Sequence, residues 1–511
     1  MDIRTMLGQR LAFGIIGPSL SDEKIELIRK YRIGNVLLFR ENVTDGNQLR
    51  ALCRSLQDLI LETTGIPAFI AVDQEGGMVS RLSADLVNVP GNMAVAAAGK
   101  PETARRMAAI TARQLRGTGI NFNLAPAVDV NNNSRNPVIG VRSYGDDPDL
   151  TAEYAVSAVR GYAENRLLCC AKHFPGHGST DVDSHIGLPV VNRSLRELWE
   201  TELIPFRAVI DAGVPAVMSS HILFPQIEPK EVPSTMSRRI MHDLLREEMG
   251  FSGLILSDDL NMDAIRMHYG ISHGAVEAMK AGVDLIIVCN CNDEDAEQKC
   301  AEEALKAAES GEISMDEMED SVERILEAKS EYAFTMAEPE LAGMPEDFSA
   351  AREQACAAAV LYQGPCHPFF EDTFFCGPKD YRMTNAANTD LYASDFAHHM
   401  RERFGAAGIT CSVDPDTAEI MDIVSEAKNH RNLVMGTCNA HLYRGQLALA
   451  DALAETGLPL TVIALRNPYD LSELPENICK ISVFDYTLDG LNAAEQVLLS
   501  GRAAGRMPVR L

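Results

Sequence analysis

Between residues 10 and 332 the chain alternates two hydrophobic patterns. Short, unbroken apolar runs lie at 11–17, 34–39, 67–73, 120–125, 167–173, 216–222, 253–258 and 284–289. Their length and β-rich composition suit strands buried on both faces, the habit of parallel sheets. Between them, stretches such as 101–117, 149–165, 195–212 and 236–249 have the spacing of amphipathic helices. Eight strands alternating with helices predict an α/β fold, a (β/α)8 TIM-type barrel. The third repeat is irregular, because 83–100 (SADLVNVPGNMAVAAAGK) is not a clean helical pattern.

Residues 333–350 carry two prolines and several acids without periodicity, and read as a linker. Beyond them, apolar runs at 431–437, 460–465 and 479–485 alternate with helical patterns at 416–428, 443–456 and 488–499. The predicted organisation is a barrel over 1–332 and a smaller α/β/α sandwich over 351–511.

Composition narrows the function classes. Lys and Arg total 46 against 73 Asp and Glu, a formal net charge of −27. That field repels phosphate backbones and anionic lipid, so neither nucleic acid nor a membrane surface is an expected partner. No apolar run approaches the ~18 residues of a membrane span, and the run at 11–17 is too short for a convincing export signal. Twelve cysteines are scattered, with no spaced metal or redox motif. Apolar neighbours such as Leu167, Leu168 and Val288 suggest reduced, buried thiols and a cytoplasmic setting.

In barrels of this kind the chemistry sits at strand C-termini and in the loops that follow. Polar residues follow almost every strand here: Asp73-Gln-Glu-Gly-Gly, Lys172-His173, Ser219-Ser220-His221 and Ser257-Asp258-Asp259. The richest segment, KHFPGHGSTDVDSH at 172–185, leaves a strand and runs through Pro175, Gly176 and Gly178 as a loop. Asp183 and His185 are separated by one residue, so in an extended loop the carboxylate can orient the imidazole and raise its proton affinity. That suits a general acid/base; the alternative is a polar surface loop. A metal site built on His173, His177 and Asp183 is a second reading. The i, i+4 histidines lack the helix that would bring them together, because Pro175 and Gly176 intervene.

At Asp258, period-two alternation puts Leu254, Leu256 and Asp258 on one face, with Ile255, Ser257 and Asp259 on the other. If the first set faces the axis, Asp258 stands at the mouth as a nucleophile and Asp259 turns aside to cap or brace. The alternative for this pair is a helix N-cap. Arg81 and Arg142 follow polar or glycine-rich turns, as ligand clamps or as surface salt bridges. Trp199, the one tryptophan, lies in an amphipathic stretch and is expected to pack a helix.

These residues resemble glycoside hydrolase family 3, in particular its β-N-acetylglucosaminidases. The motifs that carry the resemblance are AVDQEGGMVSRL at 71–82, NPVIGVRSYG at 136–145, AKHFPGHGSTDVDSHIGLP at 171–189, VMSSHI at 217–222 and LSDDLNM at 256–262. GLPLTVIALRNPYDL at 457–471 and GRMPV at 505–509 extend it more loosely into the second unit. Carried over by position, the resemblance implies that Asp258 is the nucleophile and His185 the acid/base, assisted by Asp183. It implies that Asp73, Arg81, Arg142, Lys172 and His173 bind the N-acetylglucosamine ring. Met78 departs from the pattern, since an arginine often follows the two glycines.

The implied activity is that of a retaining exo-glycosidase releasing terminal β-linked N-acetylglucosamine through a glycosyl-aspartate, with no cofactor or metal. Two alternatives accompany it. A neutral His185 would not repel an anionic acceptor, so inorganic phosphate could replace water and make the enzyme a phosphorylase. The other is a metal-dependent barrel hydrolase.

Overall fold

The computed structural model describes residues 1–181, 183, 187–289, 294–333, 337–366, 372–381, 387 and 395–511. Eight parallel strands form the first sheet: β1 Leu11–Gly14, β2 Asn35–Leu38, β3 Phe69–Val72, β4 Phe122–Asn123, β5 Leu168–Phe174, β6 Ala216–Ser219, β7 Leu254–Leu256 and β8 Ile286–Val288. Neighbours in sequence are neighbours in the sheet, and β8 returns to pair with β1. The remaining seam, between β7 and β8, is stitched by Ser257 N to Leu285 O and Leu260 N to Ile287 O, each 3.0 Å. Ser257 Oγ adds a bond from Ile287 N at 2.9 Å. The expected barrel is present.

Alternation along the strands builds two cores. Phe69, Phe122, Leu168, Cys170, Leu254, Leu256 and Ile287 meet inside the barrel. Ile70, Val72, Cys169, Val217, Ile255 and Val288 face outward into the helical layer. Each fully buried aliphatic or aromatic side chain stabilises the fold by about 1.5–3 kcal/mol, and parallel strands use both faces this way.

Apart from β5, the strands are shorter than the apolar runs that announced them. At β4 the two-residue strand ends on Asn123, whose side-chain amide pairs with the Gln74 backbone at 3.0 and 2.9 Å. The helix expected over 195–212 is two helices, Leu195–Trp199 and Leu203–Asp211. Pro205 cannot donate to a preceding carbonyl, so it is accommodated only in the first turn of a new helix. Trp199 packs partly buried on the outer core, as a helix residue should. Segment 83–100 contains only the short helix Asn92–Ala97.

The second sheet has the order β11-β10-β12-β13-β14-β9, with β9 Val360–Gln363, β10 Thr373–Pro378, β11 Ala407–Cys411, β12 Asn432–Thr437, β13 Leu460–Ala464 and β14 Cys479–Ser482. All pairings are parallel except β14 with β9. Helix Pro345–Ala358 begins within the segment expected as a linker, and meets both helix Leu488–Ser500 and helix Asn92–Ala97. Met93, Ala94 and Val141 from the barrel side share one apolar cluster with Ala358, Tyr469, Phe484 and Val509. The described cysteines carry free thiols. No helix among the described residues is long and apolar enough to cross a membrane.

Candidate active site

Three polar side chains stand one alternation step beyond inward-facing strand residues. Asp73 follows Phe69 and Ala71, Lys172 follows Leu168 and Cys170, and Asp258 follows Leu254 and Leu256. All three therefore emerge on the axis side at the C-terminal mouth. Burial pushes the Cys170 thiol far up; Lys172 opposes this while the charges of Asp73 and Asp258 add to it. One thiol inside the barrel feels all three groups.

Lys172 Nζ lies 2.6 Å from Asp73 Oδ1 and 2.7 Å from Glu75 Oε1. Glu75 is also gripped bidentately by Arg142, with Nε to Oε2 at 2.8 Å and Nη2 to Oε1 at 2.7 Å. The side chains of Lys172, Glu75 and Arg142 are only 2–4% exposed, whereas Asp73 is 19% exposed. Asp73 is thus the member of this chain of charges that opens onto the mouth. Burial alone would raise the Glu75 carboxyl, but Arg142 and Lys172 overcome it and hold the group well below the usual carboxylate range. Burial likewise disfavours charge on Arg142, and Glu75 reverses the effect, so the guanidinium stays charged.

His173 is held from both sides. Its Nδ1 meets Asp129 Oδ2 at 2.8 Å, and its Nε2 meets Arg142 Nη2 at 3.3 Å. A guanidinium can only donate, so Nε2 accepts and the ring proton resides on Nδ1. Asp129, 1% exposed, also takes His177 N at 2.7 Å. Gly178 permits this turn, because a Cβ there would sit 1.7 Å from Val130 O. Burial lowers the His177 imidazole to about 4, and its Nδ1 is 2.9 Å from Thr180 Oγ1.

Residues 4–328 match the model described as Glycosyl hydrolase family 3 N terminal domain. This chain belongs to glycoside hydrolase family 3. It is 32% identical to a family-3 β-N-acetylglucosaminidase of known structure from Paenibacillus, covering 100% of this chain and 99% of that one with a TM-score of 0.93. It is 29% identical to the beta-hexosaminidase A of Pseudoalteromonas piscicida over 98% of this chain and 92% of that protein. The beta-hexosaminidase of Thiobacillus denitrificans is 33% identical over 55% of this chain and 78% of its own length. The chain is a glycoside hydrolase with the barrel fold of its family.

In this family-3 chain the structure brings Asp73, Arg142, Lys172 and His173 into one bonded group. Arg142 is no surface salt bridge: its guanidinium is buried on Glu75. Asp258 is half-buried, and its Oδ1 accepts from Asp259 N at 2.8 Å. Asp259 braces the barrel seam instead, its Oδ1 taking Asn261 N at 3.0 Å and Cys289 N at 2.9 Å. Arg81 is buried on the loop after β3, its backbone N donating to Gln74 Oε1 at 2.8 Å. Asp183 is buried, with Gly187 N on its carbonyl at 3.0 Å. His185 lies outside the described residues.

The metal reading meets an electrostatic obstacle. His173 spends one ring nitrogen on Asp129 and points the other at a guanidinium, which repels a cation. Among the described residues, no group of three His, Cys, Asp or Glu side chains is arranged to hold a metal ion. Sequence reasoning passed over Glu75 and Asp129. Both follow predicted strands, as the residues singled out do, but their importance depends on partners 67 and 44 residues away.

Proposed function

We propose that this glycoside hydrolase is a retaining exo-enzyme that releases terminal β-linked N-acetylglucosamine. The observation that carries the reading is Asp258 on the inward phase at the mouth, where the charge chain of Asp73, Lys172 and Glu75 also opens. Asp258 attacks the anomeric carbon and forms a glycosyl ester. His185 protonates the departing oxygen and then takes a proton from water, with Asp183 orienting it. Asp73 reaches the sugar hydroxyls, and Lys172, His173, Arg142 and Arg81 form the polar wall behind it. The names of the relatives from Paenibacillus, Pseudoalteromonas and Thiobacillus support the choice of sugar. Residues 1–332 act as the catalytic unit, 333–350 as the link and 351–511 as a unit without a reacting group. Free thiols, most of them buried, support a cytoplasmic place of action.

The test is turnover of aryl β-GlcNAc, β-GalNAc and β-Glc substrates side by side, with the product anomer read by NMR. Fast release of β-GlcNAc with the anomeric configuration retained is expected. Inversion at the anomeric carbon, or a preference for β-Glc, would refute the reading.

A further inference from the structure

Both turns that carry the Glu75–Arg142 pair are backed by the six-stranded unit. Arg142 closes the short turn Gly140–Arg142, in which Val141 N donates to Asn467 Oδ1 at 3.0 Å. The approach is close: a Cβ on Gly140, which has φ +45°, would stand 2.3 Å from Asn467 Oδ1. Only glycine satisfies both the backbone angle and the clearance. On the other side, Glu75 precedes Gly76 and Gly77, with φ +97° and +55°. A Cβ on Gly77 would lie 2.9 Å from Gly91 N, and 3.6 Å, an ordinary van der Waals separation, from Asp485 Oδ1.

Asp485 is itself firmly placed. Its Oδ2 accepts from Thr487 Oγ1 at 3.0 Å, and a Cβ on Gly490 would meet the Asp485 carbonyl at 1.8 Å. Asp485 is 4% exposed, and its Oδ1 has no hydrogen-bond partner among the described residues. A buried carboxyl oxygen without a partner is costly, and Asp485 lines the same small cavity as Gly76, Gly77 and Arg142. Preceding Phe484 has φ +59°, a left-handed conformation that costs a bulky residue about 1–3 kcal/mol and persists only where its surroundings enforce it. Glu75, Arg142, Arg466 and Asp485 enclose a cavity of about 10 Å³, scarcely enough for one water molecule. The two turns have little room to shift.

We propose that Asn467 and Asp485 are positioning residues for the sugar-binding rim: Asn467 sets the turn that presents Arg142, and Asp485 backs the turn that presents Glu75. The six-stranded unit thereby governs substrate affinity without touching substrate. This inference rests on the reading that the Glu75–Arg142 pair lies behind the sugar. A bidentate guanidinium–carboxylate pair is directional, and displacement of a binding group by an ångström is enough to weaken a site severely.

The test uses the full chain and an aryl β-GlcNAc substrate. Asn467→Ala and Asp485→Ala are each expected to raise KM about tenfold, equivalent to about 1.4 kcal/mol, with kcat within about threefold of wild type. Asn467→Asp keeps the acceptor for Val141 N and should restore most of the lost affinity. Asp146→Ala removes a bond between the two units, from Arg510 N at 2.8 Å, and serves as the control that weakens the junction alone. An unchanged KM in both Asn467→Ala and Asp485→Ala overturns the inference, as does an equal rise in Asp146→Ala. Arg142→Lys separates the premise from the inference. If its KM is unchanged, the pair does not serve the sugar; if its KM rises while Asn467→Ala and Asp485→Ala behave as wild type, only the positioning role fails.

Discussion

Glu75→Gln keeps the shape of the side chain and removes the negative charge that is bonded to both Arg142 and Lys172. In the native site Glu75 accepts from Arg142 at 2.7 and 2.8 Å and from Lys172 Nζ at 2.7 Å. After the change Lys172 keeps Asp73 at 2.6 Å. Arg142 keeps Val138 O at 3.2 Å, His173 Nε2 at 3.3 Å and at most the one amide oxygen left at position 75, while an amide NH2 replaces the other acceptor. Removing one partner of a buried ion pair costs about 3–5 kcal/mol, a large share of a total stability of about 5–15 kcal/mol. The loss has a characteristic pH dependence. Arg142 and Lys172 hold the folded-state pKa of Glu75 below its unfolded value of about 4.3. Its contribution is therefore complete above about pH 4.3 and disappears as pH falls toward the folded-state pKa. Urea denaturation of both proteins should show a constant gap between about pH 7 and pH 5, narrowing below about pH 4. KM for an aryl β-GlcNAc substrate should rise in parallel, because Arg142 loses its clamp. A gap below about 0.5 kcal/mol at neutral pH, or one that widens in acid, would refute this account of the rim.

Other changes separate chemistry from support. Asp258→Asn should lower kcat by several powers of ten with little change in the unfolding midpoint, whereas Asp259→Ala should destabilise by about 1–3 kcal/mol because Asn261 N and Cys289 N lose their acceptor; a crippled kcat in Asp259→Ala with a normal Asp258→Asn would reverse the assignment. His185→Ala should slow glycosides with poor leaving groups far more than activated aryl glycosides, and Asp183→Asn should flatten the acid/base limb of the pH profile; equal losses on both substrate classes would deny His185 a role in proton transfer. Burial lowers His177 to about 4, so the unfolded chain protonates first as pH falls, and stability should drop by about 3 kcal/mol between about pH 6.5 and pH 4. His177→Gln should remove that part of the slope, and denaturation curves across the interval would detect its failure to do so.

The sequence by itself determined the barrel, the inward phase of Asp258 and the gathering of Asp73, Lys172 and His173 at the strand ends. Strand periodicity and apolar runs are local patterns, and in a parallel barrel they suffice to say which side chains reach the axis. Leu254, Leu256 and Asp258 are spaced by two residues whatever the rest of the chain does. The family motifs at 71–82 and 171–189 are likewise contiguous, which made the enzyme class legible before any coordinates.

Tertiary structure alone decided which charges pair. Glu75 and Arg142 are 67 residues apart, and nothing in either turn announces that the arginine is buried on a carboxylate rather than free for ligand. Asp129 became the anchor of His173 and His177 only once the chain after β4 met the chain after β5. Strands β9, β10 and β11 escaped notice as well; the two edge strands, Val360–Gln363 and Ala407–Cys411, lack the two-sided apolar run that marks a central one. Most remote of all, Asn467 reaches Val141 across 326 residues, so the turn that carries Arg142 is backed by a segment that no local pattern around it announces. Local pattern specifies a secondary element and its faces. A charge pair or a close backbone approach depends on two segments meeting, and that is decided by packing.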